Sequence, residues 1–488
     1  MPLSVCAAFF CLMAAGLLSY PYIQPDEGIW IYVAKVWAGL GLPPYCGAVE
    51  NKPAGLFYIH AVPFLAGWTP QIFPRLLGAG MTAGAGFLLW LVARRAAGLW
   101  AAWWTLGLFL WLMLGGRVET CNLDTTESFM LFFCVLALYI YSKDGGELPS
   151  GGRVFWAGVC AGFSVLFKQT GLATLGALTL WPLLSGATLG AAARHAAFLW
   201  AGGLAGHLFG LLPFLFLGGT IPSYIYTAWI TLRRLSFSFG FPITPHTRLI
   251  GSTKLFLKWI FYIIPLGAGL LWRRRLGIES KFLGLCLICL ALDVWAVNSS
   301  GEYFIHQSRQ MVPTLSLVGG LIMAAVFRLS QLRRLQLAAL LVLPTCGAVF
   351  YTAENVANTK IVSLDYFAGM RARSLTKPGD YLYICEHNAS PVQYYSERYS
   401  PTRHFNTMFM FGEKQQREVL EALRRNPPAL VMVRPFLPSP DMADGAPPRW
   451  LEEGFLKPQG YTFRFADYEY YYWMKGPARR GFAANPLK

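Results

Sequence analysis

The chain has 488 residues, of which 55% are hydrophobic and only 14% charged. A soluble globular protein carries about 25% charged residues, so this is the composition of a membrane protein. The net charge of +16 comes from Lys and Arg gathered between apolar runs, as on cytoplasmic loops, which argues against nucleic-acid binding.

A bilayer core needs about 20 apolar residues per helix. Apolar runs predict about eleven spans, over 4–20, 73–93, 97–115, 127–142, 154–168, 171–185, 197–217, 256–272, 281–298, 309–327 and 335–351. The first lacks a basic leader region and a small-residue cleavage site, so it is expected to be retained. The fifth and sixth are short and read as a broken pair around Lys168. Arg94-Arg95, Lys143 to Arg153, Arg194, Arg273-Arg274-Arg275 and Arg328 with Arg333-Arg334 share one side, which should be cytoplasmic. The N-terminus is then inside and the C-terminus outside. Segments 21–72, 116–126, 218–255 and 299–308 fall on the outer side.

After residue 352 the long apolar runs stop. Asp380–Cys385 and Ala429–Val433 read as short buried strands, and Gly412–Asn426 as an amphipathic helix with Val419, Leu420 and Leu423 on one face. Tyr461–Met474 reads as strand or hairpin. The expected organisation is a transmembrane domain over 1–351 and a soluble α/β domain over 352–488 on the outer side. Gly78-x-Gly80 and Gly84-x-Gly86 look like fragments of a dinucleotide fingerprint but lie inside a span, where small residues serve helix packing. Cys46 and Cys121 both fall outside and form a candidate pair.

The outer segments hold the chemistry. Ile29–Ala38 reads as a helix lying in the interface, with Trp30, Tyr32 and Trp37 at headgroup level. Asp26 and Glu27 stand where the first span emerges. Adjacent carboxylates there act as a base, hold a metal, or cap the helix. Asp124 and Glu127 repeat the theme before the fourth span, where capping is again the alternative. Lys52, Lys168, Arg233, Arg234, Arg248 and Arg309 fall on the outer side or its border. Cations there run against the usual bias and ask for an anionic partner, of which a lipid phosphate is the natural one. His306 with a carboxylate offers a metal site, against a local hydrogen bond as the simpler reading.

In order and spacing, Asp26-Glu27, then Tyr45, then Lys52-Pro53 resembles the first outer loop of glycosyltransferase family 39 and its bacterial relatives. These are GT-C fold enzymes that include protein O-mannosyltransferases and the aminoarabinose transferase of lipid A. Asp124–Glu127 leading into Phe129, Phe132 and Phe133 resembles their second acidic motif, and Phe167–Gly171 and His306–Pro313 resemble recurring segments. The likeness covers roughly 20–330. The chain departs from it in having Lys52-Pro53-Ala54 in place of Lys-Pro-Pro, and in the Asn51 that separates Glu50 from Lys52.

The resemblance implies a GT-C-like polytopic α-helical membrane protein that moves a sugar from a polyprenyl-phosphate donor to an acceptor outside. It implies inversion, with Asp26 as base, Glu27 beside it, and either Asp124 or Glu127 as the second acidic site residue. Lys52, Lys168, Arg233, Arg234 and Arg309 would take the lipid phosphate. A divalent metal ion, with Glu50 and His306 as ligands, is the one cofactor allowed for. The competing classes are a flippase of lipid-linked saccharides and a surface-glycan polymerase or ligase. Sparse mid-span charge, with Asp293 the main exception, argues against the flippase.

Overall fold

The computed structural model describes residues 1–115, 126–142, 148–235, 237–238, 241–271, 273–276, 280–299, 305–330, 333–358, 363–386, 390–410, 412–434 and 447–476. Helices dominate. In chain order they are α1 (Pro2–Ser19), α2 (Pro25–Leu40), α3 (Gly55–Ala66), α4 (Ile72–Gly115), α5 (Thr126–Tyr141), α6 (Gly151–Val165), α7 (Leu172–Leu184), α8 (Leu189–Phe216) and α9 (Ile221–Arg234). A small ribbon, β1 (Phe237–Ser238) and β2 (Phe241–Pro242), leads to α10 (Pro245–Leu271), α11 (Arg273–Leu276), α12 (Ser280–Ser299), α13 (Val312–Ser330) and α14 (Arg333–Asn358). The C-terminal part holds α15 (Leu364–Leu375), β3 (Leu382–Cys385), α16 (Ser390–Tyr395), α17 (Glu413–Arg425), β4 (Leu430–Val433), α18 (Arg449–Leu451), β5 (Tyr461–Asp467) and β6 (Tyr470–Lys475).

Packing divides the chain into two compact units. The first comprises Met1–Tyr20, Pro74–Pro213 and Ile243–Lys360, and the second Pro21–Phe73, Phe214–Pro242 and Ile361–Lys488. The units are thus discontinuous in sequence, unlike the sequential division at 351.

The first unit is a helical bundle with one apolar core running from Cys6 to Tyr351. Helix α4 is too long to cross a bilayer once: 44 residues at about 1.5 Å rise each would reach about twice the hydrocarbon thickness. Gly98 breaks it with φ 87° and ψ −175°, a backbone that suits glycine. The chain then doubles back, so that an added Cβ at Gly86 would lie 3.0 Å from the Phe109 ring. Gly84 likewise faces Phe132, so these glycines serve helix packing. The tightest crossing is elsewhere. A Cβ at Gly158 or Gly162 of α6 would lie 2.0–2.1 Å from carbonyl oxygens of Leu199 and Gly203 on α8, the close backbone approach that small residues permit between helices.

Each predicted apolar run falls on a helix. By length and composition five described helices can cross a membrane, and six if the bent pair within α10 counts as one span.

In the second unit a four-stranded sheet of order β3-β4-β6-β5 pairs β3 parallel to β4 and the rest antiparallel. The strands β3 and β4 are buried on both faces, which is why they read as unbroken apolar runs. Leu382 and Ile384 join α15 residues Ala368 and Ala372 on one face. Tyr383 and Cys385 join Val419 and Leu423 of α17 on the other.

Helix α2 corrects one expectation. Trp30, Tyr32 and Trp37 are buried, so they are not headgroup anchors. The Tyr32 hydroxyl accepts from the Ser400 amide at 2.7 Å and its ring meets Phe405, while Gly28 lies against Pro391. The C-terminal segment covers the face that composition assigned to lipid.

Candidate active site

The first unit holds one group of the expected residues. Helix α5 opens on Thr126 and Glu127, and Glu127 is 1% exposed. Its Oε2 accepts from the Thr126 hydroxyl at 3.0 Å, and its Oε1 pairs with the Lys168 ammonium. Lys168 reaches it because α6 ends at Val165 and the chain turns extended at Lys168 (φ −155°, ψ 134°) before a 3₁₀ turn at Gln169–Gly171. His306, on the 3₁₀ segment Ile305–Met311, acts electrostatically on Glu127. Arg309 on that segment is fully buried. Asp124 and Cys121 lie outside the described residues.

A buried carboxylate network stands beside this group. Asp293 of α12 accepts from Gln310 Nε2 at 3.1 Å and from the Thr314 hydroxyl at 3.0 Å. The same Gln310 nitrogen donates to the Thr170 carbonyl at 3.1 Å. Gln310 therefore ties the 3₁₀ segment carrying His306 and Arg309 both to Asp293 and to the turn that follows Lys168. Two of the partners of Asp293 are neutral residues, which carry no sequence signal of their own.

The second unit holds the other group. Asp26 is half-buried in the first turn of α2, and Glu27 is buried there. Glu27 completes a capping box with Gln24, its Oε2 accepting from the Gln24 amide at 3.1 Å. Of the adjacent pair, only Asp26 is left outside the cap. In the loop that follows, Tyr45 is fully buried at φ 71°, a left-handed conformation that costs about 1–3 kcal/mol in a non-glycine residue and concentrates at functional sites. Its amide donates to the Ala48 carbonyl at 2.8 Å and its hydroxyl to the Lys52 carbonyl at 2.9 Å. This tyrosine clamps the loop that carries Glu50 and Lys52.

Glu50 is 1% exposed. Its Oε1 accepts from the Asn51 amide at 2.9 Å, while its buried Oε2 accepts no hydrogen bond among the described residues. Lys52 Nζ donates to Asn51 Oδ1 at 3.2 Å. Burial pushes the Glu50 carboxyl above its ordinary value, the charges of Lys52 and Arg234 and the Asn51 amide pull it back, and Asp26 adds to the rise. Asp26, Glu50, Lys52 and Arg234 thus form one electrostatic group. Arg233 stands apart, exposed with its guanidinium 5.4 Å from the Trp229 ring centre.

Glu50 and His306 belong to different units. Among the described residues no group of three or more His, Cys, Asp or Glu is placed to hold a metal ion. Cys286 and Cys289, spaced Cys-x-x-Cys, are both buried in the apolar core at α12.

ArnT from Cupriavidus metallidurans in the apo state matches with a TM-score of 0.68 at 15% identity, over 97% of this chain and 99% of that one. The same protein bound to undecaprenyl phosphate matches at 0.67 and 14% over equal shares. The fold is that of the GT-C glycosyltransferases. A second GT-C protein, the oligosaccharyltransferase AglB from Archaeoglobus fulgidus in the apo form, matches at 0.57 and 13% identity, over 88% of this chain and 69% of that one. AglB has also been crystallised with zinc and sulfate. No family model matches the sequence, and no curated protein is similar to it in sequence. The GT-C likeness is therefore one of fold.

Proposed function

We propose that this protein transfers a sugar from a polyprenyl-phosphate donor to an acceptor on the outer face of the plasma (inner) membrane. The observation that carries the reading is the GT-C fold along nearly the whole chain, shared with ArnT, whose solved structure holds undecaprenyl phosphate. In this reading about eleven helices span the bilayer, and residues 352–488 lie outside the cytoplasm.

Asp26 deprotonates an acceptor hydroxyl, whose oxygen attacks the anomeric carbon as the bond to phosphate breaks, inverting that centre. The electron pair leaves on the lipid phosphate. Its growing charge is met by Lys52 and Arg234. Phosphate needs no acid to leave, so one base and several cations suffice. Supporting this division of labour, Asp26 remains after Glu27 caps α2, and Arg234 rather than Arg233 joins Glu50 and Lys52 electrostatically. Glu127 serves by holding Lys168, and Asp124 is the alternative second acid. Glu50 in the second unit and His306 in the first are each a candidate ligand for a divalent metal ion.

The test uses purified protein in proteoliposomes, with undecaprenyl-phosphate sugars as donors and lipid A or peptides as acceptors. Release of undecaprenyl phosphate and labelling of the acceptor are read. Asp26→Ala is expected to abolish transfer while inserting like the parent. Full activity in that variant removes the assigned role, and translocation of donor without transfer favours the flippase.

A further inference from the structure

We propose that Arg403, in the C-terminal part of the chain, is a positioning residue that sets the Tyr45–Lys52 loop and, through it, the phosphate-facing group Glu50, Lys52 and Arg234. The last step rests on the functional reading above; the loop placement does not.

Arg403 ties together segments far apart in sequence. Its carbonyl accepts from the Val49 amide at 2.9 Å, and its Nη1 donates to the Tyr45 carbonyl at 3.4 Å. Its Nε and Nη2 grip the Glu418 carboxylate of α17 as a fork, with Nη2 to Oε2 at 3.0 Å. The guanidinium carbon lies 5.2 Å from the centre of the Tyr226 ring of α9. His404 Nε2, 3.3 Å from Glu418 Oε2, braces the same carboxylate.

The loop it holds requires holding. Tyr45 sits at φ 71°, which an unrestrained chain would leave. From the other side the loop leans on α9 and the C-terminal part: Val49 packs with Ile230 and Phe409. The Thr231 hydroxyl donates to the Asn51 carbonyl at 3.4 Å, and the Arg234 guanidinium lies 5.6 Å from the Phe409 ring centre. A shift of Tyr45–Val49 therefore carries Glu50 and Asn51 with it, and with Asn51 its partner Lys52.

The chemistry selects arginine. A planar fork can bind a carboxylate, reach a carbonyl and lie on an aromatic ring at once, which the point charge of lysine cannot. Burial alone would raise the Glu418 carboxyl, but hydrogen bonds from His404 and Arg403 outweigh it and bring the group down to about 2, so it is charged at neutral pH. The Arg403 and Glu418 side chains are 33% and 36% exposed, and ion pairs at such exposure add little to global stability. The effect of Arg403 is expected in loop geometry rather than in whether the protein folds.

The experiment compares full-length wild type, Arg403→Ala, Arg403→Lys and Glu418→Gln in nanodiscs. Amide exchange is followed over residues 44–53 and 221–234, with β3 and β4 as the folding control. In Arg403→Ala, exchange at 44–53 is expected to rise at least tenfold with the strands unchanged, and undecaprenyl phosphate to bind about tenfold more weakly. Arg403→Lys should fail to restore either, and Glu418→Gln should fall between. Unchanged loop exchange in Arg403→Ala overturns the proposal, as does a loosened loop with unaltered undecaprenyl phosphate affinity. Wild type that does not bind undecaprenyl phosphate refutes the functional reading instead, and the exchange measurement still decides the loop.

Discussion

In the first unit the Glu127 carboxylate meets the Lys168 ammonium, and both oxygens of Asp293 accept hydrogen bonds. In the second unit Glu50 is as deeply buried as Glu127, yet only one of its oxygens accepts a hydrogen bond among the described residues. A buried acceptor without a donor costs about 1–3 kcal/mol. At Glu127 and Asp293 the first unit avoids that cost by pairing the carboxylates internally. The second has left it in place, beside two cations and a half-buried Asp26. Charges that satisfy one another build a frame, whereas charges left partly unsatisfied are available to a substrate. Removing a residue from the first set should lower stability, and from the second, activity.

Three substitutions test this contrast. Lys168→Met strands the Glu127 carboxylate in a dry site, and breaking a buried pair in this way costs about 3–5 kcal/mol. A large drop in the unfolding temperature is expected, and an unchanged one would break the contrast. Asp293→Ala removes the hydrogen bonds from Gln310 and Thr314, which keep the Thr170 and Met311 carbonyls as acceptors, so a loss of about 1–3 kcal/mol in all is expected. Its destabilisation should be accompanied by faster amide exchange over 305–311. Glu50→Gln should leave stability within about 0.5 kcal/mol or raise it slightly, since the amide removes a buried charge, while transfer falls. A strong loss of stability there would show that the second unit is built like the first.

The smallest expected effect concerns pH. Burial pushes the Glu386 carboxyl up to about 7, and the Tyr470 hydroxyl and the Arg434 charge offset this only in part. The folded state then holds a proton that the unfolded state releases near 4.5. The resulting stability is complete below about 4.5 and is lost as pH rises toward about 7. Glu386→Gln should flatten that limb of the unfolding-temperature profile. An unchanged slope would place its origin elsewhere.

Much of the frame was legible because it follows from local pattern. Apolar runs marked the helices, and the buried runs Leu382–Cys385 and Leu430–Val433 marked the parallel strands. The spacing of Val419 and Leu423 marked the buried face of α17. Asp26, Glu50, Lys52 and Lys168 stood out as charges in apolar surroundings. Other features had no such signal. Gln310 and Thr314 matter only because Asp293 faces them, and Arg403 only because Tyr45, Val49, Tyr226 and Glu418 converge on it. In sequence Glu418 is an ordinary charge on an amphipathic helix.

The sequence by itself determined the solvent this protein lives in and the local elements, because hydropathy and periodicity act over a few turns of chain. It also singled out the charged residues from which a site would have to be made. Tertiary structure alone decided which charges neutralise each other and which stay partly unsatisfied, and that Trp30 and Tyr32 are core rather than lipid anchors. It also decided that Arg403, from the C-terminal part, bonds the Tyr45–Val49 loop near the N-terminus. Desolvation and hydrogen bonding depend on what covers a group in space, and no spacing along the chain encodes that cover.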